Sequence, residues 1–235
     1  MRLNKFISER GVGSRREADA WIAAGRVTVN GAPAKLGTQV TAGDLVRVDG
    51  RPLPARSKAV YLALNKPRGI TCTTERDVPG NIVDFLRHRE RIFPIGRLDK
   101  DSEGLILLTN DGDIVNEILR VEHGHEKEYE VKVDRPVTPA FLSMMAAGVR
   151  IRGEKTRPCT IARTGSATFR IVLTQGLNRQ IRRMCSALGW RVRELKRVRI
   201  MHIRLGALAA GRWRELSEAE LRPLLEAAAL RAGSG

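Results

Sequence analysis

One segment concentrates the groups able to do chemistry. Phe93-Pro94-Ile95-Gly96-Arg97-Leu98-Asp99-Lys100-Asp101-Ser102-Glu103-Gly104-Leu105 sets two cations, Arg97 and Lys100, and three carboxylates, Asp99, Asp101 and Glu103, between two apolar runs. Ile92 to Ile95 and Leu105 to Thr109 read as short strands. Gly96 and Gly104 bracket the turn, where they allow close backbone approach or unusual dihedrals. Two kinds of chemistry suit this composition. A carboxylate beside an arginine in a concave basic surface is held ionised and is available as a nucleophile. A pair of carboxylates, Asp99 with Asp101, is what a glycoside hydrolase uses. The plainer alternative is a solvated hairpin tip.

No other chemistry is signalled. The chain has neither a Gly-x-x-x-x-Gly-Lys-Ser/Thr loop nor a convincing Gly-x-Gly-x-x-Gly. Its cysteines, at 72, 159 and 185, form no Cys-x-x-Cys pair, and its histidines, at 88, 123, 125 and 202, are scattered. No cofactor and no metal site are expected.

The charge balance is the loudest global signal. In 235 residues, Lys+Arg number 42 and Asp+Glu 26, a net charge of +16. A protein this basic is expected to meet a polyanion, nucleic acid first and an anionic membrane surface second. No run approaches the ~18 apolar residues of a spanning helix, and Met1 to Phe6 lacks the apolar centre of a signal peptide. An odd number of unspaced cysteines fits reduced thiols and a cytoplasmic location. Aromatic residues are only 4% of the chain, which counts against the stacking platforms of a sugar-cleaving enzyme.

Around the charged turn, the chain reads as a small module, residues 2–53, and a larger one, 60–231. Pro52 to Ala59, with two prolines, forms a linker taken as 54–59. In the first module Leu3, Phe6 and Ile7 have helical spacing. Ser14-Arg15-Arg16-Glu17 is a capping box opening a helix that runs to about Ala24 and ends at Gly25. Short strands follow, with Asn30-Gly31 as a tight turn. In the larger module Val60 to Ile70 is a strand ending in a basic turn, where Pro67 stops the ladder and Gly69 relaxes the turn. A short helix is expected near Ile82 to Arg89, and another from Ile114 to Arg120 with Asp113 as its cap. His123 to Glu126 reads as a loop. Lys127 to Val133 alternates strictly, a half-buried strand with Tyr129, Val131 and Val133 on one face. Thr138 to Ala147 is a helix with Pro139 in its first turn. Strands follow to Thr174. Asn178 is the expected N-cap of a helix burying Ile181, Cys185 and Leu188. From Gly176 to Arg204 nine Lys/Arg stand against one acid. Ser217 to Glu220 is a second capping box, opening a terminal helix to about Leu230, with frayed residues after it.

These segments carry two resemblances. Arg2-Leu3-Asn4-Lys5, Ser14-Arg15-Arg16-Glu17-Ala18, Gly25-Arg26-Val27-Thr28-Val29-Asn30-Gly31 and Gly43-Asp44 resemble the S4 RNA-binding domain. Asn65-Lys66-Pro67-Arg68-Gly69, Gly96-Arg97-Leu98-Asp99, Lys127-Glu128-Tyr129 and Arg179-Gln180-Ile181-Arg182 resemble, in order, the motifs of the RNA pseudouridine synthases. The nearest likeness is to the RsuA-type bacterial enzymes, in the large-subunit rRNA branch called pseudouridine synthase F.

The resemblance implies an α+β fold: a small N-terminal S4 module, then a catalytic domain with a mainly antiparallel central sheet flanked by helices. It implies isomerisation of uridine to pseudouridine in large-subunit (23S) rRNA or its assembly intermediate. A tRNA anticodon uridine is a second candidate substrate. By the motifs, Asp99 acts as nucleophile or promotes glycosidic cleavage, Tyr129 lies on the flipped base, and Arg182 pairs with Asp99. Lys66 and Pro67 are structural residues near the site. Lys5, Arg15, Arg16 and Arg26 in the first module, and Arg97, Leu98, Lys100, Arg179, Gln180 and Arg183 in the second, are the expected RNA-binding residues. A monomer without membrane contact is expected. The rival reading is a non-catalytic S4-type or ribosome-associated factor, which explains the charge and the first module but leaves the aspartate motif idle.

Overall fold

The computed structural model describes residues 1–75, 77–119 and 124–232. Arg120, His123 and the last residues from Gly233 on, which enter the expected helix end, loop and frayed terminus, lie outside them. The chain forms two compact units. The first is Met1–Val60 with His88–Ile92 and Asn110–Gly112; the second holds Tyr61–Arg87, Phe93–Thr109 and the described residues from Asp113 on.

In the first unit, α1 (Leu3–Ser8) and α2 (Arg15–Ala23) precede β1 (Val27–Val29), β2 (Ala32–Pro33), β3 (Val46–Val48) and β4 (Arg51–Pro52). The strands form an antiparallel sheet in the order β2-β1-β3-β4. The capping box closes as the sequence requires: the Glu17 amide donates to Ser14 Oγ at 3.1 Å and the Ser14 amide to a Glu17 carboxylate oxygen at 2.7 Å. Asn30 and Gly31 both have positive φ, 51° and 85°, the backbone of a tight hairpin turn. Leu3, Phe6, Ile7, Ala18, Ile22 and Val27 fill the core. Pro52 pairs with Arg47 in the sheet, so the strand runs further toward the linker than its prolines suggest; an edge strand tolerates the missing donor.

The second unit contains β5 (Tyr61–Lys66), α3 (Ile82–Leu86), β6 (Phe93–Ile95), β7 (Glu103–Thr109), α4 (Gly112–Leu119, all but its first residue), β8 (Lys127–Val133), α5 (Pro139–Ala146), β9 (Arg150–Ile151), β10 (Glu154–Lys155), β11 (Thr160–Gly165), β12 (Thr168–Leu173), α6 (Gln180–Ala187), β13 (Val192–Ile200), β14 (Ile203–Arg204), β15 (Trp213–Glu215) and α7 (Glu218–Ala232). A nine-stranded sheet runs β11-β12-β8-β13-β7-β5-β15, with β14 on β13 and β6 on β7. Every pairing is antiparallel except β13 with β7. One core cluster joins β8, β12 and β13 to α5 and α6 through Val131, Phe141, Phe169 and Met184. Another joins β5 and β7 to α4 and α7 through Ala63, Leu107, Ile114 and Leu224. The architecture is the mainly antiparallel α+β arrangement expected.

Several local expectations need correction. The helix expected over Ile82 to Arg89 stops at Leu86, where Arg87 turns left-handed at φ 47°. The helix expected from Ile114 begins at Gly112, so Asp113 lies in its first turn rather than at the cap. Asn178 does not cap α6: Arg179 occupies that position at φ 52°, and Asn178 Oδ1 accepts from Arg183 Nη2 instead. Strand β13, the longest in the sheet, has no counterpart in the sequence reading. Its charges mask the alternation, and part of them form a ladder on one sheet face. Arg199 reaches Glu128 at 2.7 Å, and Arg170 reaches Glu128 at 3.3 Å and Glu130 at 2.8 Å. Glu128 is therefore buried although it lies on the charged face of β8.

Candidate active site

The antiparallel pairing of β6 with β7 makes Gly96–Ser102 the loop of a hairpin. Gly96, at φ 82°, turns the chain out of β6. Within the loop the Ser102 amide donates to Asp99 O at 3.0 Å, and the Gly69 amide donates to Lys100 O at 2.8 Å. Lys66, at the end of β5, is wholly buried and donates through Nζ to Pro67 O at 2.8 Å and Ile70 O at 2.9 Å. It thus holds the turn that carries Gly69. Burial lowers the pKa of this ammonium, an effect opposed by its neighbours Cys72 and Asp99.

The loop is tied down by two more cations. Arg182 of α6 donates through Nη2 to Asp101 O at 3.1 Å and Ser102 Oγ at 3.3 Å. Arg197 of β13, 3% exposed, donates through Nε to Leu105 O at 2.7 Å and through Nη1 to Arg97 O at 3.3 Å. One guanidinium fork therefore joins the start of the loop to β7 just beyond its end. Arg197 Nη2 is buried without a partner among the described residues. This approach depends on Gly104: a Cβ there would lie 2.3 Å from Arg197 O. The parallel register sets Arg197 opposite Gly104 on one side, and the antiparallel register sets it opposite Tyr129 on the other. Three strands thus bring Gly104, Arg197 and Tyr129 into one row.

Above this row is a cavity of about 670 Å³, a volume suited to a nucleoside. Arg97, Leu98, Asp99, Lys100, Lys127 and Tyr129 line it, together with Gln175 to Ile181 and Arg197. Asp99 is half-buried. The guanidinium nearest it is Arg179, whose Nη1 lies 3.8 Å from Asp99 Oδ2 and 3.1 Å from Asp101 Oδ2. This redistributes the expected arginine roles. Arg182, expected on Asp99, bonds to the loop backbone, because the left-handed Arg179 at the start of α6 brings its own side chain to the carboxylates. Burial lowers the Arg182 pKa, with Arg179 adding to the effect. Gln180 is buried and accepts from the Leu177 amide at 3.0 Å, bracing the loop into α6. Arg183 is half-buried on Asn178, while Arg97 and Lys100 are exposed at the rim. Lys127 shares the Tyr129 side of β8; burial lowers its pKa and Arg197 contributes in the same direction.

In the first unit, Arg15 and Arg16 are exposed with no hydrogen bond or ion pair among the described residues. Lys5 contacts Glu9 at 3.6 Å, and Arg26 binds Asp49 through two nitrogens, one of them at 2.8 Å. Among the described residues no group of three His, Cys, Asp or Glu is placed to hold a metal, and no helix is long and apolar enough to cross a membrane.

Arg197 escaped the sequence reading. Its signal was available: it shares the parity of Leu195, so an arginine stands where the strand's inward alternation calls for an apolar residue.

Comparison with known proteins agrees with this geometry. The family model described as RNA pseudouridylate synthase matches residues 60–187, and that of the S4 domain matches residues 1–46. The chain belongs to the RNA pseudouridine synthase family. It is 54% identical over 227 residues to the dual-specificity RNA pseudouridine synthase RluF of Salmonella typhi, covering 96% of this chain and 78% of that one. To RluF of Escherichia coli K12 it is 52% identical over 228 residues, covering 96% and 79%. A crystal structure of a pseudouridylate synthase superposes with a TM-score of 0.70 at 32% identity, covering 95% of this chain and 99% of that one. These likenesses put the chain in the RsuA-type group, on the RluF branch, as an RNA-modifying isomerase.

Proposed function

We propose that this enzyme converts a uridine of large-subunit (23S) rRNA to pseudouridine in the cytoplasm, and that a tRNA anticodon uridine is a second substrate. The observation that carries the reading is the position of Asp99: a half-buried carboxylate beside Arg179 on a nucleoside-sized cavity that Tyr129 also lines. The dual specificity in the names of the RluF relatives supports two RNA substrates. The three free thiols support a reducing compartment.

In the proposed reaction the target uridine leaves its stack and enters the cavity, at an unstacking cost of about a few kcal/mol. Exposed Arg97 and Lys100 meet its flanking phosphates and offset that cost. Asp99 is the nucleophile, oriented by Arg179, while Arg182 and Arg197 fix the loop that carries it. The Asp99 carboxylate bonds to C1′ as the N1–C1′ bond breaks, the uracil turns, and C5 bonds to C1′ as the carboxylate is released. C5 then loses its proton and N1 gains one, so no oxidant or co-substrate is consumed. Tyr129 lies against the ring and receives or relays the C5 proton. The first unit holds the RNA backbone through Arg15 and Arg16, aided by Lys5 and Arg26.

Pseudouridine mapping on unmodified large-subunit rRNA and bulk tRNA tests this. Wild type is expected to add one rRNA site and a tRNA anticodon site. Asp99→Asn is expected to lose at least about 10³-fold in rate, the scale of losing a nucleophile, while still binding RNA. Appreciable turnover by Asp99→Asn would remove Asp99 from the mechanism.

A further inference from the structure

A second concavity adjoins the one that holds the proposed uridine site. It measures about 570 Å³ and shares Thr71, Cys72, Gly96 and Arg97 with the first. Its remaining lining is Thr73, Thr74, Glu75, Val78, Phe93 and Pro94. Nothing in the reaction described above uses this space. Yet the substrate is a polymer, and a nucleotide attached to the target must leave the first cavity across its wall. Arg97 stands on that wall, exposed, where the linking phosphate would pass.

The chemistry of the second concavity differs from the rest of the RNA-facing surface. Among the described residues it is lined by one aromatic ring, three hydroxyls, one carboxylate and a single cation. Glu75 is exposed and has no ion pair or hydrogen bond from its carboxylate among the described residues. In a chain with 42 Lys/Arg, a carboxylate unpaired among the described residues and next to a site for a polyanion repels the ligand's backbone unless a base offers it a donor. A carboxylate only accepts, so it selects bases whose edges donate. Guanine offers N1–H and an N2 amino group side by side, matching both carboxylate oxygens. Phe93 is half-buried and supplies a ring of the kind on which unpaired bases stack. Two local bonds hold Glu75: its amide donates to Thr73 Oγ1 at 3.2 Å, and the Val78 amide donates to Glu75 O at 3.3 Å.

We infer that this concavity is a specificity subsite for the nucleotide next to the target uridine, that it takes a purine, and that Glu75 selects guanine. The inference rests on the assignment of the first cavity to the target uridine.

The test uses the full chain and a pool of RNA hairpins with one uridine in the loop and randomised bases on both sides. Products are sequenced for pseudouridine, and the base frequencies beside it are counted. Wild type is expected to enrich guanine at least about 5-fold at one flanking position. Glu75→Ala is expected to flatten guanine to the level of adenine. Phe93→Leu, which keeps the volume and removes the ring, is expected to weaken the preference for purines over pyrimidines. Modified products with no flanking preference, or a guanine preference unchanged in Glu75→Ala, overturn the subsite and leave the uridine site standing. No modified product from wild type overturns both.

Discussion

The same residue type does opposite work in the two units. In the first, Arg15 and Arg16 sit at the start of α2, exposed and without partners among the described residues. In the second, Lys66 and Arg197 are buried, and with the half-buried Arg182 they donate to backbone carbonyls of the catalytic loop or of the turn beside it. Exposed cations attract a polyanion over a distance set by salt. Buried cations cost desolvation and are retained only where they form well-aimed bonds. Net charge is therefore a poor guide to where RNA is held. Part of the positive charge of the catalytic unit shapes the loop that carries Asp99 and is hidden from solvent.

The comparison makes graded predictions. The largest effect is expected from Arg197→Met, which frees the start of the Asp99 loop from β7. Misplacing a reacting group by about 1 Å costs on the order of 10²-fold in rate, so kcat should fall by about that factor. RNA affinity should stay near wild type, because Arg197 is too buried to meet phosphate. Arg197→Lys, which keeps the charge and one donor, should recover part of kcat. A parallel loss of affinity would place Arg197 among the RNA contacts and erase the distinction.

Arg15→Ala with Arg16→Ala should show the reverse pattern. Each lost phosphate contact lowers the slope of log affinity against log salt by roughly 0.7–0.9, and single-turnover rates at saturating protein should be unchanged. Filter binding across a salt series decides it; an unaltered slope would mean that the first unit meets RNA through another face.

The smallest effect belongs to a third kind of arginine, one paired with a carboxylate. Arg214 holds Glu220 through two bonds, at 2.6 and 2.7 Å. With the Ser217 amide, this pairing lowers the Glu220 pKa from 4.5 to about 2. The unfolded chain binds the proton first as pH falls. The contribution is therefore complete above about 4.5 and is lost as pH drops through about 2. Because the pair is partly solvated, its worth is about 1 kcal/mol. Glu220→Gln should lower the thermal midpoint at pH 6 and narrow its gap to wild type at pH 3. Equal midpoints at both values would show the pair to be neutral.

Much of the site was legible in the order of residues. Asp99 between two apolar runs, the Ser14–Glu17 box and the alternation around Tyr129 are local patterns, and local hydrogen bonds and periodicity enforce them. The motifs extended this to the identity of the family. The misreadings share a cause. Asn178 was a reasonable cap by type, but the chain used a left-handed Arg179, and that choice decided which arginine reaches Asp99.

The sequence by itself determined most of the chemical residues and most helices and strands, though not β13 or Arg197, because those patterns depend on neighbours a few positions away. Only the tertiary structure decided which cation does which task. Between Gly176 and Arg204 the arginines are equivalent by composition, and their roles follow from partners far along the chain. Arg197 meets Leu105 across 92 positions and Arg182 meets Asp101 across 81. The Arg197 bonds exist only once β13 lies parallel to β7 with Gly104 of β7 opposite Arg197, since a backbone carbonyl offers the same acceptor in every residue and sheet register selects which one is met.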